Sequence, residues 1–372
     1  MAEILSKIVN PKTKLRSSYW DNIKGVLIIL VVFAHCLYNF QDKPINNLIV
    51  DAIYYFHMPA FIFVSGFFSK SEKCRSRESI LYLLMAYLFF MIPFIFYRSL
   101  NDMTVKLIHP YYSAWYLLAL AILRLIAPYL AKFRLILPAT VIFSVLVGFW
   151  GTVNGESALA INKAVTFLPF FMAGYLTDKE FIDNKIKQRK ALPKLSAGVV
   201  AVALAFVLEI ISYKALNVTT QDLLPNKYAA FDFIEPLTRM AVMAVASLFI
   251  LSFLLLSVDK KIPILTMAGR NSMSIFLFHR IFTLIFAHYL AGYRAKIQIA
   301  AAIICTLLII AVFGNDFVSK NVNAFIRNCA RSISFTSQQE TKKEKVYKAI
   351  TLSIICITFI APIVIKFIRL SA

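Results

Sequence analysis

The sequence predicts an all-α fold: a polytopic transmembrane helical bundle with a ten-helix body and one further C-terminal helix. Three observations carry that expectation. Of the 372 residues, 60% are hydrophobic and only 16% are charged, with a mean hydropathy of +0.72. A water-soluble chain of this length cannot bury that much apolar surface, whereas lipid accepts it. The apolar residues also fall in runs of roughly 20, the length that crosses a hydrocarbon core. Finally, Lys and Arg gather in alternate loops, as they do on the cytoplasmic side of membrane proteins.

The elements follow in order. Residues 1–16 are polar and basic and read as a cytoplasmic tail. The run 24–42 imitates a signal-peptide core, but no small-x-small cleavage site follows it, so it is expected to remain as the first span. Further spans are expected at 48–68, 79–97, 112–130, 135–150, 163–177, 195–213, 235–257, 272–291, 297–317 and 349–369, the runs at 135–150 and 163–177 being short. With the N-terminus in the cytoplasm, the basic loops around Lys70–Arg77 and Lys179–Lys194 lie inside, together with 318–348. The last of these is polar and reads as a solvated linker. It joins a membrane domain, 17–317, to an appended span within 349–372 that has no charged group at mid-depth.

Charge and cysteine usage narrow the partners. A net charge of +21 would suggest nucleic acid in a soluble protein, but here it is loop charge, and no aromatic–basic motif for bases is present. The lipid bilayer is the expected partner, and no nucleic acid. The five cysteines show no CxxC spacing and no HExxH occurs, so neither a disulfide framework nor a metal site is indicated. No internal repeat is evident, which argues against an inverted-repeat transporter.

Ionisable side chains at bilayer depth are expensive and mark functional sites. His35, His57 and His279 come from three spans at similar expected depth. Lys24 precedes His35 by eleven residues, which places both on one helical face to within about 20°. Asp21 falls near the same face if the helix starts early enough to include it. Glu235 and Arg239 stand four apart near the outer end of their span, spaced as an ion pair or an acceptor contact. Glu209 lies near the outer end of the preceding span. Tyr111, Tyr112, Trp115 and Tyr116 suit an interfacial belt or a surface on which a sugar stacks.

The residues around these positions form recognisable motifs. The run from Tyr19-Trp20-Asp21-Asn22-Ile23-Lys24-Gly25 to Phe33-Ala34-His35 resembles the first helix of the acyltransferase family 3 integral membrane enzymes, in particular their fucose 4-O-acetylase-like branch. Phe56-His57-Met58-Pro59-Ala60-Phe61, Trp115-Tyr116-Leu117-Leu118, Phe171-Met172-Ala173-Gly174-Tyr175 and Gly269-Arg270-Asn271-Ser272 through His279 are similar to that family's later motifs, in order. The resemblance covers about residues 17–317. It implies an O-acyltransferase in the bacterial inner membrane, N-terminus cytoplasmic, that moves an acetyl group from acetyl-CoA to a hydroxyl of a surface or lipid-linked carbohydrate. The family's Arg-x10-His pair falls on Lys24 and His35. Its Arg-x-x-Arg is not matched, Arg75-Ser76-Arg77 lying nearby with another spacing.

Roles follow from chemistry. Acyl transfer needs a base of near-neutral pKa, and imidazole is the usual one. His35 is expected as that base or as a transient acyl carrier, His57 as its partner, and Asp21 as the group that holds Lys24. Lys24, Arg75 and Arg77 would meet the phosphates of acetyl-CoA. Trp115, Glu235, Arg239 and His279 would meet the carbohydrate acceptor. No tightly bound cofactor is expected. The alternative is a transporter or flippase for a polyprenyl-linked sugar, which would scatter polar residues along several helices instead of clustering them.

Overall fold

A computed structural model describes residues 17–101, 103, 105, 108–150, 158–188, 191–216, 234–334, 341–343 and 345–355. Every regular element among them is helical, and the fold is an all-α polytopic bundle. Helix α1 spans Ser18–Leu37 and continues as a 3₁₀ turn through Phe40. It starts earlier than the hydropathy edge because Asp259, from a distant loop, accepts the Tyr19 N–H at 2.9 Å. That carboxylate satisfies a donor the first turn would otherwise leave open. Asp21 and Lys24 are therefore helical.

The second span is not continuous, contrary to expectation. It divides into α2, Pro44–Tyr54, and α3, His57–Phe68, with a turn at Tyr55–Phe56. Pro59 is the physical reason. It has no N–H to give the Tyr55 carbonyl, and its ring would collide with that carbonyl in an unbroken helix. Placed in the first turn of α3 instead, Pro59 costs nothing, and His57 becomes the first residue of the new helix.

The chain continues through α4 (Arg77–Leu100), α5 (Trp115–Leu130), α6 (Ile136–Leu146) and α7 (Ile161–Leu176). Then follow α8 (Ala191–Leu216), α9 (Ile234–Leu256), α10 (Pro263–Arg270), α11 (Ser272–Leu290), α12 (Ala295–Phe313) and α13 (Asp316–Ser334). Among the described residues, seven stretches are long and apolar enough to cross a membrane: Ser18–Phe40, Pro44–Phe68, Arg77–Leu100, Tyr112–Leu130, Glu235–Leu256, Ser272–Leu290 and Ala295–Phe313. The expected spans at 135–150 and 163–177 are the shorter helices α6 and α7, and that at 195–213 lies inside α8. The side chain of Glu209, the tail 1–16 and the last span beyond 355 lie outside the described residues.

The segment expected as a solvated linker, 318–348, differs most. Helix α13 occupies its first half and packs along α4. Ile326, Cys329 and Ala330 are buried there, Arg331 pairs with Glu78 at 2.8 Å, and the Tyr82 hydroxyl donates to Asn323. Residues 345–355 are helical and return against it, Thr351 donating to the Cys329 carbonyl at 3.3 Å.

Helix α1 is the hub, touching α2, α3, α10, α11 and α12. Two seams place backbone against backbone. A Cβ on Gly25 would overlap the Leu265 carbonyl, and one on Gly269 the Asp21 carbonyl, so α1 and α10 meet without side chains between them. Gly66 and Gly174 do the same for α3 and α7, against Phe171 and Phe63. Small residues give such close approach in lipid, where apolar side chains gain little by leaving the solvent.

Candidate active site

The break before α3 brings the imidazoles together. The Nδ1 of His57 lies 2.9 Å from the Ile53 carbonyl, in the last turn of α2. A carbonyl only accepts, so Nδ1 carries the proton and Nε2 keeps its lone pair. His279 repeats the arrangement within α11, Nδ1 donating to the Phe276 carbonyl at 2.7 Å. Its Nε2 is buried and makes no hydrogen bond. His35 is half-buried near the end of α1, and its ring lies 5.3 Å from that of His279, tilted by 31°.

Tyr54, which the sequence analysis did not single out, joins the group. Its hydroxyl lies 3.2 Å from the Nδ1 of His35, and its ring meets that of His57 edge-on at 4.7 Å. The one sequence signal was its position three before His57, on the same side of the chain at the Pro59 break. The three histidines expected to share a depth thus form one cluster around a tyrosine. Two of them present an unprotonated Nε2 held by a main-chain anchor. Among the described residues no three His, Cys, Asp or Glu side chains converge as metal ligands would.

The expected cations gather at the other end of α1. Lys24 pairs with Asp21 at 2.8 Å and lies over the Phe68 ring, 5.7 Å from its centroid. Trp20 packs on Phe67 and Phe68 and locks this end of α1 to the end of α3. Beyond Phe68, the Lys70 ammonium donates to the Thr177 carbonyl; burial lowers its pKa and Asp178 offsets part of that. Arg75 donates to the Lys70 carbonyl at 3.3 Å, while Arg77 opens α4 exposed. Asp21 therefore sits with Lys24, eleven residues or about 16 Å of helix from His35, and not among the imidazoles.

The residues expected at the acceptor are divided. His279 is in the cluster itself. Trp115 stacks on Phe167 at 5.2 Å, under Lys163, and connects to His279 through Tyr116 and Phe276. Arg239 is fully buried on α9 and donates to the Ser144 carbonyl of α6 at 2.9 Å; Glu235 is half-buried one turn before it. These two belong to the α6–α9 side. The open cleft there, about 250 Å³ between α6, α7 and α9, is lined by apolar side chains such as Leu137, Phe170 and Met243 and carries no comparable chemistry.

A further set of charges holds the start of α1. Lys187, in a π-helical segment at Phe181–Lys187, pairs with Asp183 at 2.9 Å and Asp259 at 3.1 Å. Burial opposes its charge, but the bonds to the two carboxylates prevail and raise its pKa.

A helical bundle in the membrane, with a buried cluster of bases reached from a cationic end, defines a membrane enzyme built for group transfer. The family model of the family 3 acyltransferase domain matches residues 17–315, and the chain belongs to that family. It is a multi-pass membrane acyltransferase. No curated protein and no solved structure matches the chain.

Proposed function

We propose that this acyltransferase moves an acetyl group from cytoplasmic acetyl-CoA to a hydroxyl of a surface or lipid-linked carbohydrate. The observation that carries the reading is the separation of two functions along α1. Lys24, Lys70 and Arg75 form a cationic end suited to the phosphates of CoA. The bases lie about 16 Å further along, where the arm of the donor would deliver its thioester. This orientation places the Lys24 end in the cytoplasm and the membrane domain in the inner membrane of a bacterium.

In the proposed step, the Nε2 of His35 takes the proton of the acceptor hydroxyl. The oxygen attacks the thioester carbonyl, the new C–O bond forms, and the C–S bond breaks as the tetrahedral intermediate collapses. The departing thiolate recovers the proton from the imidazolium. His57 and His279, each with a free Nε2, line the space where these charges develop.

The test is transfer of labelled acetyl from acetyl-CoA in membranes carrying each variant. His35→Ala is expected to lower turnover by about 10²–10⁴, the usual cost of a lost general base. Lys24→Ala should raise the KM for acetyl-CoA with less effect on kcat, and Lys24→Arg should preserve binding. Near-normal turnover by His35→Ala at saturating donor would remove His35 as the base. The absence of any acetyl transfer by the unaltered protein would overturn the donor assignment.

A further inference from the structure

We infer that the end of the bundle opposite Lys24 recognises an acceptor carrying an oxyanion, a carboxylate or a phosphate, and that Arg280 is the residue that binds it. The inference rests on the transfer reading for the identity of the incoming molecule, and on different atoms for its evidence.

Arg280 follows His279 on α11 and is 4% exposed. Its Nε and Nη1 are buried and make no hydrogen bond, and no carboxylate pairs with it among the described residues. A buried guanidinium without an anion is costly. The other arginines buried or half-buried in the bundle are engaged: Arg124 donates to Ser69 at 3.2 Å and Ser79 at 3.1 Å, and Arg239 to Ser144. Arg280 has aromatic faces instead. Its guanidinium carbon lies 4.5 Å from the centroid of Tyr112 and 5.8 Å from that of Tyr38.

Those two tyrosines point to a ligand. Tyr38 is 38% exposed and Tyr112 is 41% exposed, so the cation lies beneath an open aromatic rim. The backbone of Tyr112 has φ +50°, a left-handed conformation that an aromatic residue adopts only where surrounding structure enforces it. On the inner side, Tyr38 stacks on Tyr54 at 5.8 Å and 20°, and the Tyr54 hydroxyl meets His35. The rim is thus continuous with the bases. A sugar has apolar C–H faces that suit the tyrosine rings. A neutral sugar would leave Arg280 unpaired, whereas a carboxylate or phosphate fits the planar donor fork.

The experiment uses the full-length protein in detergent at low salt. Glucose, glucuronate and glucose 1-phosphate are titrated separately, with tyrosine fluorescence as the readout and acetyl-CoA binding as a control on the donor end. Glucuronate or glucose 1-phosphate should bind about ten- to a hundredfold more tightly than glucose, the effect of a charge-assisted hydrogen bond. The better of the two tells whether the anion is a carboxylate or a phosphate. Arg280→Gln should abolish the preference while acetyl-CoA binding persists. If that variant fails to accumulate, Arg280→Lys, which keeps the charge and loses the fork, should reduce it severalfold. Equal binding of all three sugars, or an undiminished preference in either variant, would overturn the inference. A protein that transfers acetyl but shows no charge preference defeats this inference alone. One that never transfers acetyl defeats the proposed function and leaves the sugar titration readable.

Discussion

The hydroxyl of Tyr54 and the Nδ1 of His35 lie 3.2 Å apart, tying the last turn of α2 to the last turn of α1. Whichever atom donates, the bond fixes the plane of the imidazole and leaves Nε2 for the substrate. Tyr54→Phe keeps the ring against Tyr38 and His57 and removes only the bond. The expected result is a two- to tenfold loss of kcat, the worth of one ordinary hydrogen bond. The KM for acetyl-CoA should be unchanged, and the pH–rate profile should shift because the base has lost a neighbour. An unaltered rate and profile would show that Tyr54 only fills space.

Asp259 governs the other end of α1. Burial raises its pKa, but the Tyr19 N–H and the Lys187 ammonium more than offset this, and its net pKa lies below the ordinary carboxylate range. A lowered folded pKa means that the contribution to stability is complete above the unfolded value, about 3.9. It is lost as pH falls through the lower folded value. Asp259→Ala should therefore destabilise the protein near neutral pH by about 0.5–2 kcal/mol, as loss of a helix cap does. The gap between the two proteins should close below about pH 4. Thermal unfolding across that range measures it, and a gap that stays constant down to pH 3 would rule out an ionic cap.

Helix α13 sets the third expectation. A chain stopped after Phe317 loses the burial of Ile326, Cys329 and Ala330 against α4 and the Arg331–Glu78 pair. Burying one large aliphatic side chain is worth about 1.5–3 kcal/mol, so this chain should unfold at lower temperature than the full-length protein. A chain stopped after residue 340 keeps α13 and should fall between them, lacking only the returning segment with Thr351. Equal midpoints for the shortest and the full-length chains would show that α13 contributes nothing to the fold.

These features differ in how far the sequence alone revealed them. The geometry of α1 was legible, because helical periodicity places Asp21, Lys24 and His35 on one face once the helix is long enough. The close α3–α7 seam was legible only as a motif. Gly174 stood out within Phe171–Tyr175, but its use as a space for the Phe63 carbonyl depends on a distant helix. The division of the second span was missed although Pro59 is in plain view. Hydropathy averages side chains and does not register one absent N–H. Helix α13 was hidden by a similar average: its buried residues Ser319, Ile326, Cys329 and Ala330 recur at helical spacing in a segment that is polar overall. Tyr54 and Arg280 were the least visible. Each acquires its chemistry from a partner on another helix, and no local pattern announces such a pairing.

The glycine seams also determine which parts of the molecule are free to vary. Where main chains touch directly, as at Gly66–Phe171 and Gly269–Asp21, helix separation has no side-chain adjustment and acts as a fixed calibre. The helices bearing His35 and His57 are each clamped in this way. Changes at Tyr38 or Tyr112, which line the opposite rim and belong to neither seam, can therefore reshape what is admitted without altering the frame that holds the bases. Selectivity and architecture are encoded in separate residues, so the first can be redesigned while the second is left intact.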